Sequence, residues 1–313
     1  MRSRILIIYN PKAGRGQFLG SLSDAIDMFT KAGYAVEVYP TQAPGDAVSR
    51  IMNLEEEYSM IVPAGGDGTL DEVVTGLMRS GRKMPVGYIP VGSTNDYAAS
   101  LNLPANHIQQ AVDTILTGQP CGVDVGVMNS AHFFIYVAAF GAFTDVAYET
   151  NQDLKNVFGH AAYLIEATKR LGDLKPYKLH VKTENYETEQ EYIFGMVANS
   201  VSVGGIRNIT GKDILLNDGL FEITLIRNPR NLLEMPEIAG SLLMQNYGTE
   251  LIDYFKTDRI ELTAETEIPW TLDGEYGGSW KHVVIENRCR ALQLMLDIKP
   301  GSNLNPLLEE KGN

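Results

Sequence analysis

Val62-Pro63-Ala64-Gly65-Gly66-Asp67-Gly68-Thr69 runs from a short apolar segment into a glycine-rich turn that carries one carboxylate. Immediately beyond it, Leu70, Val73, Val74 and Leu77 recur at helical spacing, so the turn opens a helix. Gly65, Gly66 and Gly68 are expected to bend the backbone at positive φ and, having no side chains, to leave main-chain N–H groups facing an anion. A helix N-terminus behind such a turn favours phosphate. Two adjacent glycines and an Asp-Gly pair also make an ordinary tight turn, and these residues alone leave both readings open. No Gly-Lys-Ser/Thr follows, so the stretch is not a Walker A loop.

Outward from this turn, strand and helix alternate. Residues 5–9 read as a first strand, Leu19, Leu22, Ile26 and Phe29 as a helix, residues 35–39 as a second strand, and Ala47, Val48 and Ile51 as the next helix. Residues 60–62 and 86–89 complete the strands, and residues 108–116 add a further helix. This rhythm predicts a doubly wound, mostly parallel sheet with helices on both faces. Ligands of such sheets bind beyond the carboxyl ends of the strands. Four polar loops fall there, at residues 10–16, 41–46, 65–69 and 92–96.

Beyond residue 116 the pattern changes. Val123, Val125 and Val127 alternate with small or polar residues, and strand-like runs follow at 133–139, 179–183, 192–198, 221–226, 260–262 and 283–285. Short runs separated by Gly and Asn predict an antiparallel, sandwich-like β domain, interrupted by helical patterns at 161–171 and 232–244. The shift puts the boundary at Cys121-Gly122. The expected organisation is an α/β domain over residues 1–121, a β-rich domain over 122–299, and a tail over 300–313 that is free to pack back on the first domain.

At 313 residues the chain is long enough for two such cores. A formal net charge of −13 disfavours a nucleic-acid partner and broad adhesion to an anionic membrane, without excluding docking through a local patch. Cys121 and Cys289 have no Cys-x-x-Cys spacing, so neither a disulfide framework nor a thiolate metal site is expected, and a reducing cytoplasm fits. The five histidines show no ligand spacing. The apolar run after Arg4 stops at Asn10-Pro11, too early for a signal peptide. The longest apolar stretch, 133–143, falls short of the roughly 20 residues that span a bilayer, so membrane contact is expected to be peripheral at most.

Three further loops carry chemistry. Asn10-Pro11-Lys12-Ala13-Gly14-Arg15-Gly16 follows the first strand, and its amide, its glycines and the charges of Lys12 and Arg15 suit phosphate oxygens. Thr41-Gln42-Ala43-Pro44-Gly45-Asp46-Ala47 opens a helix with Asp46 as its expected cap. Ser93, Thr94, Asn95 and Asp96 either cap the next helix or bind ribose and phosphate from its end.

Taken in order, Asn-Pro-x-x-Gly, Thr-x-x-x-Gly-x-Ala, Gly-Gly-Asp-Gly-Thr and Pro-x-Gly-Ser-x-Asn-Asp-Tyr-Ala resemble the catalytic domain of the bacterial diacylglycerol kinase and lipid kinase family. That family is also similar to sphingosine kinases and, more distantly, to NAD kinases and 6-phosphofructokinases. The resemblance implies ATP- and Mg²⁺-dependent phosphorylation of a lipid hydroxyl at the membrane surface. By it, Asn10, Pro11, Lys12, Ala13, Gly14, Thr41, Gly65, Gly66, Asp67, Gly68, Thr69, Leu70, Asp71 and Ser93 line the ATP site, with Asp67 organising Mg²⁺. Ser93 stands where the family usually has Thr and keeps the hydroxyl. Asp71 stands where Asn is usual, which adds a negative charge beside the triphosphate.

The resemblance covers nearly the whole chain. Leu215-Leu216-Asn217-Asp218-Gly219-Leu220-Phe221 is similar to a segment in which one carboxylate and flanking carbonyls hold Mg²⁺, implying Asp218 with the main-chain oxygens of Leu215 and Leu220. Leu272-Asp273-Gly274-Glu275 is similar to the Asp-Gly-Glu that carries the family's general base, and Asp273 and Glu275 remain alternatives. Two carboxylates this close across a glycine have no evident structural use. Residues 140–145 match a family glycine-Asp segment only loosely. The implied function is a lipid kinase acting on a diacylglycerol-like acceptor. Two alternatives stay open: an NAD kinase, which would be expected to carry an Asn-Glu motif instead of Gly-Ser-Thr-Asn-Asp-Tyr-Ala, and a nucleotide- or lipid-binding protein without catalysis, against which Asp67, Asp218, Asp273 and Glu275 argue. The identity of the lipid and the oligomeric state, a homodimer included, stay open as well.

Overall fold

The computed structural model describes residues 2–141, 176–207, 209–211, 213–231, 234–247, 249–298 and 302–304. The expected helix at 161–171, the segment after Gly141, the first two residues of the 232–244 pattern, the Arg15 side chain and most of the 300–313 tail lie outside the described residues. The chain forms two compact units. The first comprises Met1–Val125, Leu215–Gly219 and Arg288–Asn313, and the second Gly126–Ile214 and Leu220–Asn287.

In the first unit β1 (Arg4–Tyr9), β2 (Ala35–Pro40), β3 (Met60–Gly65) and β4 (Ile89–Pro90) form a parallel sheet in the order β2-β1-β3-β4. β1 is buried beyond its first residue and β3 throughout, which is why both read as continuous apolar runs rather than as an alternation. The connections contain α1 (Gln17–Lys31), α2 (Asp46–Met52), α3 (Asp67–Ser80), α4 (Asp96–Ser100) and α5 (Ile108–Thr117). Right-handed crossovers put α1 on one face of the sheet and α2 and α3 on the other, because the chain steps from β1 toward one edge and from β2 and β3 toward the opposite edge. Accordingly α1 packs on α5, and α2 on α3.

The periodic residues Leu70, Val73, Val74 and Leu77 are all buried on α3, and the helix stops where Gly81 turns left-handed at φ 66°. Gly76 lets α2 and α3 approach closely: a Cβ there would lie 2.9 Å from Ile51 Cβ.

The division into units is discontinuous, whereas the sequence suggests a single cut at residues 121/122. The reason is β15 (Glu275–Leu296), which from Arg288 onward returns to the first unit. There Leu294 bridges Val86, which itself bridges Ile61; the Val86 N–H donates to Gln293 O at 2.8 Å and the Met295 N–H to Val86 O at 2.9 Å. A late segment therefore extends the early sheet. Val86, expected inside a strand at 86–89, is held by these isolated bridges, and β4 itself is only two residues long. The tail residue Asn303 also joins the first unit, its Nδ2 donating to Ser100 O at 2.8 Å and its carbonyl accepting the Leu216 N–H at 2.8 Å.

β5 (Gln119–Met128) carries the chain into the second unit, which is antiparallel and rich in sheet, as expected. It adds β6 (His132–Phe134), β7 (Val137–Gly141), β8 (Tyr177–Lys182), β9 (Glu187–Ala198), the short hairpin β10 (Ser202–Val203) and β11 (Ile206–Arg207), β12 (Phe221–Arg227), α6 (Glu234–Met244), β13 (Ile252–Thr257) and β14 (Arg259–Leu272). The main sheet runs β13-β12-β9-β7-β14-β15-β5-β6, with β8 against β14 and β9. β14 pairs with β8 over its first half and with β7 over its last residues, and its register against β15 shifts between Thr263 and Ile268 and again between Pro269 and Thr271. Such irregularities let one long strand turn and serve two layers. Phe134, Phe140, Tyr192, Phe221, Ile260 and Trp270 belong to the core so enclosed.

The returning strand should be as important to the first unit as its own sheet. Leu294→Ala, at a fully buried position, is expected to lower the unfolding free energy by about 2–4 kcal/mol. Chemical denaturation of the two proteins measures this, and an unchanged midpoint would show that the segment is dispensable.

Candidate functional site

β1 is the strand at which the sheet order reverses, with β2 on one side and β3 on the other. Tyr9 stands opposite both Pro40 and Ala64, so the loops after the three strands leave side by side. Backbone bonds tie them together: Asn10 N–H to Ala64 O at 3.1 Å, Thr41 N–H to Tyr9 O at 2.9 Å, and Val91 N–H to Gly65 O at 2.9 Å. Asn10, Pro11, Lys12, Ala13, Gly14, Thr41, the 65–71 stretch and Ser93 thus lie at one end of one sheet, at its topological switch point.

None of Gly65, Gly66 and Gly68 has positive φ, which corrects the expectation drawn from the sequence. Their smallness matters instead. A Cβ on Gly65 would meet Thr69 Oγ1 at 2.2 Å, and one on Gly92 would lie 2.4 Å from Gly66 Cα, so two main chains touch where α3 begins. The N–H groups of Gly66, Asp67 and Gly68 have no acceptor among the described residues, as the first turn of a helix requires when nothing caps it. Beside them Ser93 and Thr94 expose their hydroxyls. Asn95, left-handed at φ 54°, occupies the N-cap position of α4, but its side chain does not cap the helix. Its amide closes on Gly92, accepting the N–H at 2.9 Å and donating to the carbonyl at 2.8 Å. In the first loop, Asn10 Oδ1 accepts the Lys12 N–H at 2.9 Å and holds the turn, leaving Lys12 in solvent. Outward N–H donors, hydroxyls and one lysine are a donor set that fits a polyphosphate.

The cap of α4 is Asp67. Its Oδ2 accepts the Asp96 N–H at 2.9 Å and its Oδ1 the Tyr97 N–H at 3.2 Å. Burial drives the Asp67 carboxyl up to about 6; the bond from Asp96 opposes the rise, while the Asp96 charge adds to it. The adjacent Tyr88 phenol is pushed well above its ordinary range, first by burial and then by the Asp67 charge. Asp67 thus joins two of the four loops. Asp46 is not the cap of α2. It accepts the Tyr39 hydroxyl at 3.0 Å and the Gln42 N–H at 2.8 Å, while Gly45 occupies the N-cap position.

The 215–219 segment belongs to the first unit. Asp124, fully buried, organises it: Oδ2 accepts the Gly219 N–H at 2.7 Å, and Oδ1 the Arg290 N–H at 2.8 Å. Asp218 is half-buried, and the Leu215 carbonyl accepts no hydrogen bond among the described residues. No group of three His, Cys, Asp or Glu side chains gathers for a metal among the described residues, so a cation here would depend on main-chain oxygens. Hard oxygens of this kind fit Mg²⁺.

In the second unit, Asp273 and Gly274 form a two-residue turn at φ 50° and 86°, between the paired Leu272 and Glu275. Asp273 is nearly fully buried. Its Oδ2 accepts the Ile135 N–H at 2.6 Å, and its Oδ1 the Tyr136 and Val137 N–H groups at 3.0 and 2.9 Å. This carboxylate therefore has a structural use, contrary to expectation: it clamps the hairpin onto β7. Glu275 stands exposed at the turn.

These geometries can be set beside known proteins. The family described as "Diacylglycerol kinase catalytic domain" matches residues 4–128, and the one described as "YegS C-terminal NAD kinase beta sandwich-like domain" matches residues 137–296. A diacylglycerol kinase of Bacillus subtilis (strain 168) is 33% identical over 277 residues, covering 88% of this chain and 90% of its own. The chain belongs to the diacylglycerol kinase family. It is a lipid kinase, and the NAD kinase alternative is set aside. A diacylglycerol kinase of Staphylococcus aureus (strain MRSA252) is 35% identical over 281 residues, covering 89% and 88%. A solved diacylglycerol kinase structure from Bacillus anthracis str. Sterne is similar with a TM-score of 0.74 at 21% identity, over 95% of this chain and 97% of its own. An NAD kinase from Archaeoglobus fulgidus in complex with ATP gives 0.52 at 14% identity over 98% of each. At such identities both likenesses bear on the fold alone.

Two residues of the kinase escaped the reading of its sequence. Asp124 had a signal, a carboxylate between valines in an alternating strand, which has to find donors once buried. Glu72 had none, because its partners, the Gly45 and Ala47 N–H groups at 2.8 and 3.1 Å, lie more than twenty residues away.

The Asp67 carboxyl gives the kinase a pH-dependent stability whose sign follows from linkage. Its folded value, about 6, exceeds the ordinary 3.8, so its contribution is complete below the lower value and is lost as pH rises through the upper one. Ligand-free kinase should therefore lose up to about 3 kcal/mol between about pH 4 and pH 7, a component that Asp67→Asn lacks. Melting temperatures of both proteins across that range measure it, and parallel curves would mean that Asp67 titrates normally.

Proposed function

We propose that this lipid kinase transfers the γ-phosphoryl group of ATP to the hydroxyl of a diacylglycerol-like lipid, with Mg²⁺, working from the cytoplasm at the membrane surface. The observation that carries the proposal is the convergence of the strand-end loops around the unpaired N–H groups that open α3, a donor array suited to a triphosphate. The names of the curated relatives support the acceptor. No helix among the described residues is long and apolar enough to cross a membrane.

In this reading Asn10, Pro11, Lys12, Ala13, Gly14, Thr41, Gly65, Gly66, Asp67, Gly68, Thr69, Leu70, Asp71 and Ser93 line the nucleotide site. The N–H groups at Gly66, Asp67 and Gly68 take phosphate oxygens, and Lys12 adds charge. Asp67 presents its carboxylate to the cation. Asp218, with the carbonyls of Leu215 and Leu220, holds a second, structural Mg²⁺. When bound, Mg²⁺ supplies neutralisation of phosphate charge. The acceptor oxygen bonds to the γ-phosphorus while the bond to the bridging oxygen breaks, ADP leaves, and the hydroxyl proton goes to a carboxylate of the Asp273-Gly274-Glu275 turn. Both Asp273 oxygens already accept main-chain N–H groups, so the geometry favours Glu275 as the base and Asp273 as the residue that holds it in position.

Two measurements follow. Glu275→Gln should lower turnover by roughly two orders of magnitude or more while leaving ATP affinity unchanged, the usual scale for a lost general base. Asp273→Asn should instead act first on stability, because its amide would turn a donor toward N–H groups. Calorimetry with ATP, melting curves and turnover on a panel headed by diacylglycerol test both, and a Glu275→Gln enzyme with normal turnover would return the base to Asp273 or to Asp67. Separately, the melting temperature of the wild type should rise with added Mg²⁺ and that of Asp218→Ala should not. Equal responses would remove the cation from this segment.

A further inference from the structure

Glu72 projects from the second turn of α3 to another helix. Its Oε1 accepts the Gly45 N–H at 2.8 Å and its Oε2 the Ala47 N–H at 3.1 Å, so one carboxylate takes two donors at the start of α2. That helix has seven residues, too few to hold its own first turn firmly. Gly45 brings no side chain, and the Asp46 carboxylate is engaged by Tyr39 and Gln42. The negative charge is also favourable at a helix N-terminus. One turn further along α3, the close approach of Gly76 to Ile51 sets the height at which α2 packs, and so the height at which Glu72 meets it.

The loop before α2 is pinned at its other end too. Thr41 donates from its N–H and its Oγ1 to Tyr9 O, at 2.9 and 3.4 Å, and Tyr9 directly precedes Asn10. The 41–45 loop is thus suspended between the end of β1 and α3, the helix that also carries Asp67. We propose that Glu72 is a positioning residue for the nucleotide: it holds the 41–45 loop at the rim of the strand-end site, and through it Thr41, without touching the ligand. This rests on the ATP reading above. It implies that nucleotide affinity can be weakened from α2 while the phosphate-facing donors of the 65–69 turn stay intact.

The test uses the full chain with Glu72→Gln and Glu72→Asp. Gln keeps one acceptor oxygen and turns a donor toward the other N–H; Asp keeps the charge on a shorter reach. Glu72→Gln is expected to raise both the Kd and the KM for Mg-ATP by roughly tenfold or more, the scale of losing a charged hydrogen bond. Its kcat and lipid KM should change by less than about threefold on the same scale, and Glu72→Asp should fall between it and the wild type. Hydrogen exchange at the Gly45 and Ala47 amides should quicken in the same order. A residue that served stability alone would lower the melting temperature and the active fraction without moving the KM for ATP, and that result overturns the proposal. Should Glu72→Gln fail to fold, Glu72→Asp decides: wild-type ATP affinity together with faster exchange at Gly45 and Ala47 also overturns it. A wild type that binds no Mg-ATP would defeat the nucleotide reading itself, whereas a wild type and Glu72→Gln that bind it equally defeat this inference alone.

Discussion

The contact between the Asp67 carboxylate and the N–H groups of Asp96 and Tyr97 is the one on which the first unit's site depends. A helix of five residues cannot hold its own first turn, and Asn95, which precedes it, spends its side chain on Gly92. Asp67 supplies the missing acceptor from another helix, joining the loop after β3 to the loop after β4. Together with the Val91 N–H to Gly65 O bond, that link keeps the main chains at Gly66 and Gly92 in contact. The arrangement keeps a carboxylate mostly out of water, which raises the Asp67 pKa, and the two bonds oppose that rise.

The same device recurs through the chain. Glu72 takes N–H groups of Gly45 and Ala47, Asp124 those of Gly219 and Arg290, and Asp273 those of Ile135, Tyr136 and Val137. In each case these donors are main-chain N–H groups, and the carboxylate joins segments far apart in sequence. A hydrogen bond to an ionised acceptor is stronger than a neutral one, and a main-chain donor is fixed in direction by the element that carries it. Acidic side chains thus act as fasteners between loops, which places several of the residues behind the net charge of −13 inside the molecule.

For a phosphoryl-transfer enzyme this way of building has a clear use. Such chemistry needs little covalent participation from the protein and depends on holding donors and the acceptor in line. Loops fastened by carboxylates to α3 and to the sheet edge are held more rigidly than loops of the same length left to themselves. The second unit follows the same logic, with a hairpin whose buried carboxylate is a clamp and whose other carboxylate, Glu275, stands exposed at the turn.

The sequence by itself determined the alternation of strand and helix in the first hundred residues, because β1 and β3 are buried on both faces and α3 on one, and each burial leaves its own period in the chain. It also determined the gathering of the polar loops, since strands that run parallel must end together. Family motifs marked the residues of those loops. Tertiary structure decided why several of them are what they are. Gly66 and Gly92 are small because another chain segment occupies the space a Cβ would need, which no local pattern encodes. The returning end of β15, the trans caps Asp67 and Glu72 and the clamp at Asp273 were equally beyond a linear reading, because a carboxylate's role is set by the donors that folding brings to it, and those donors lie 25 to 138 residues away.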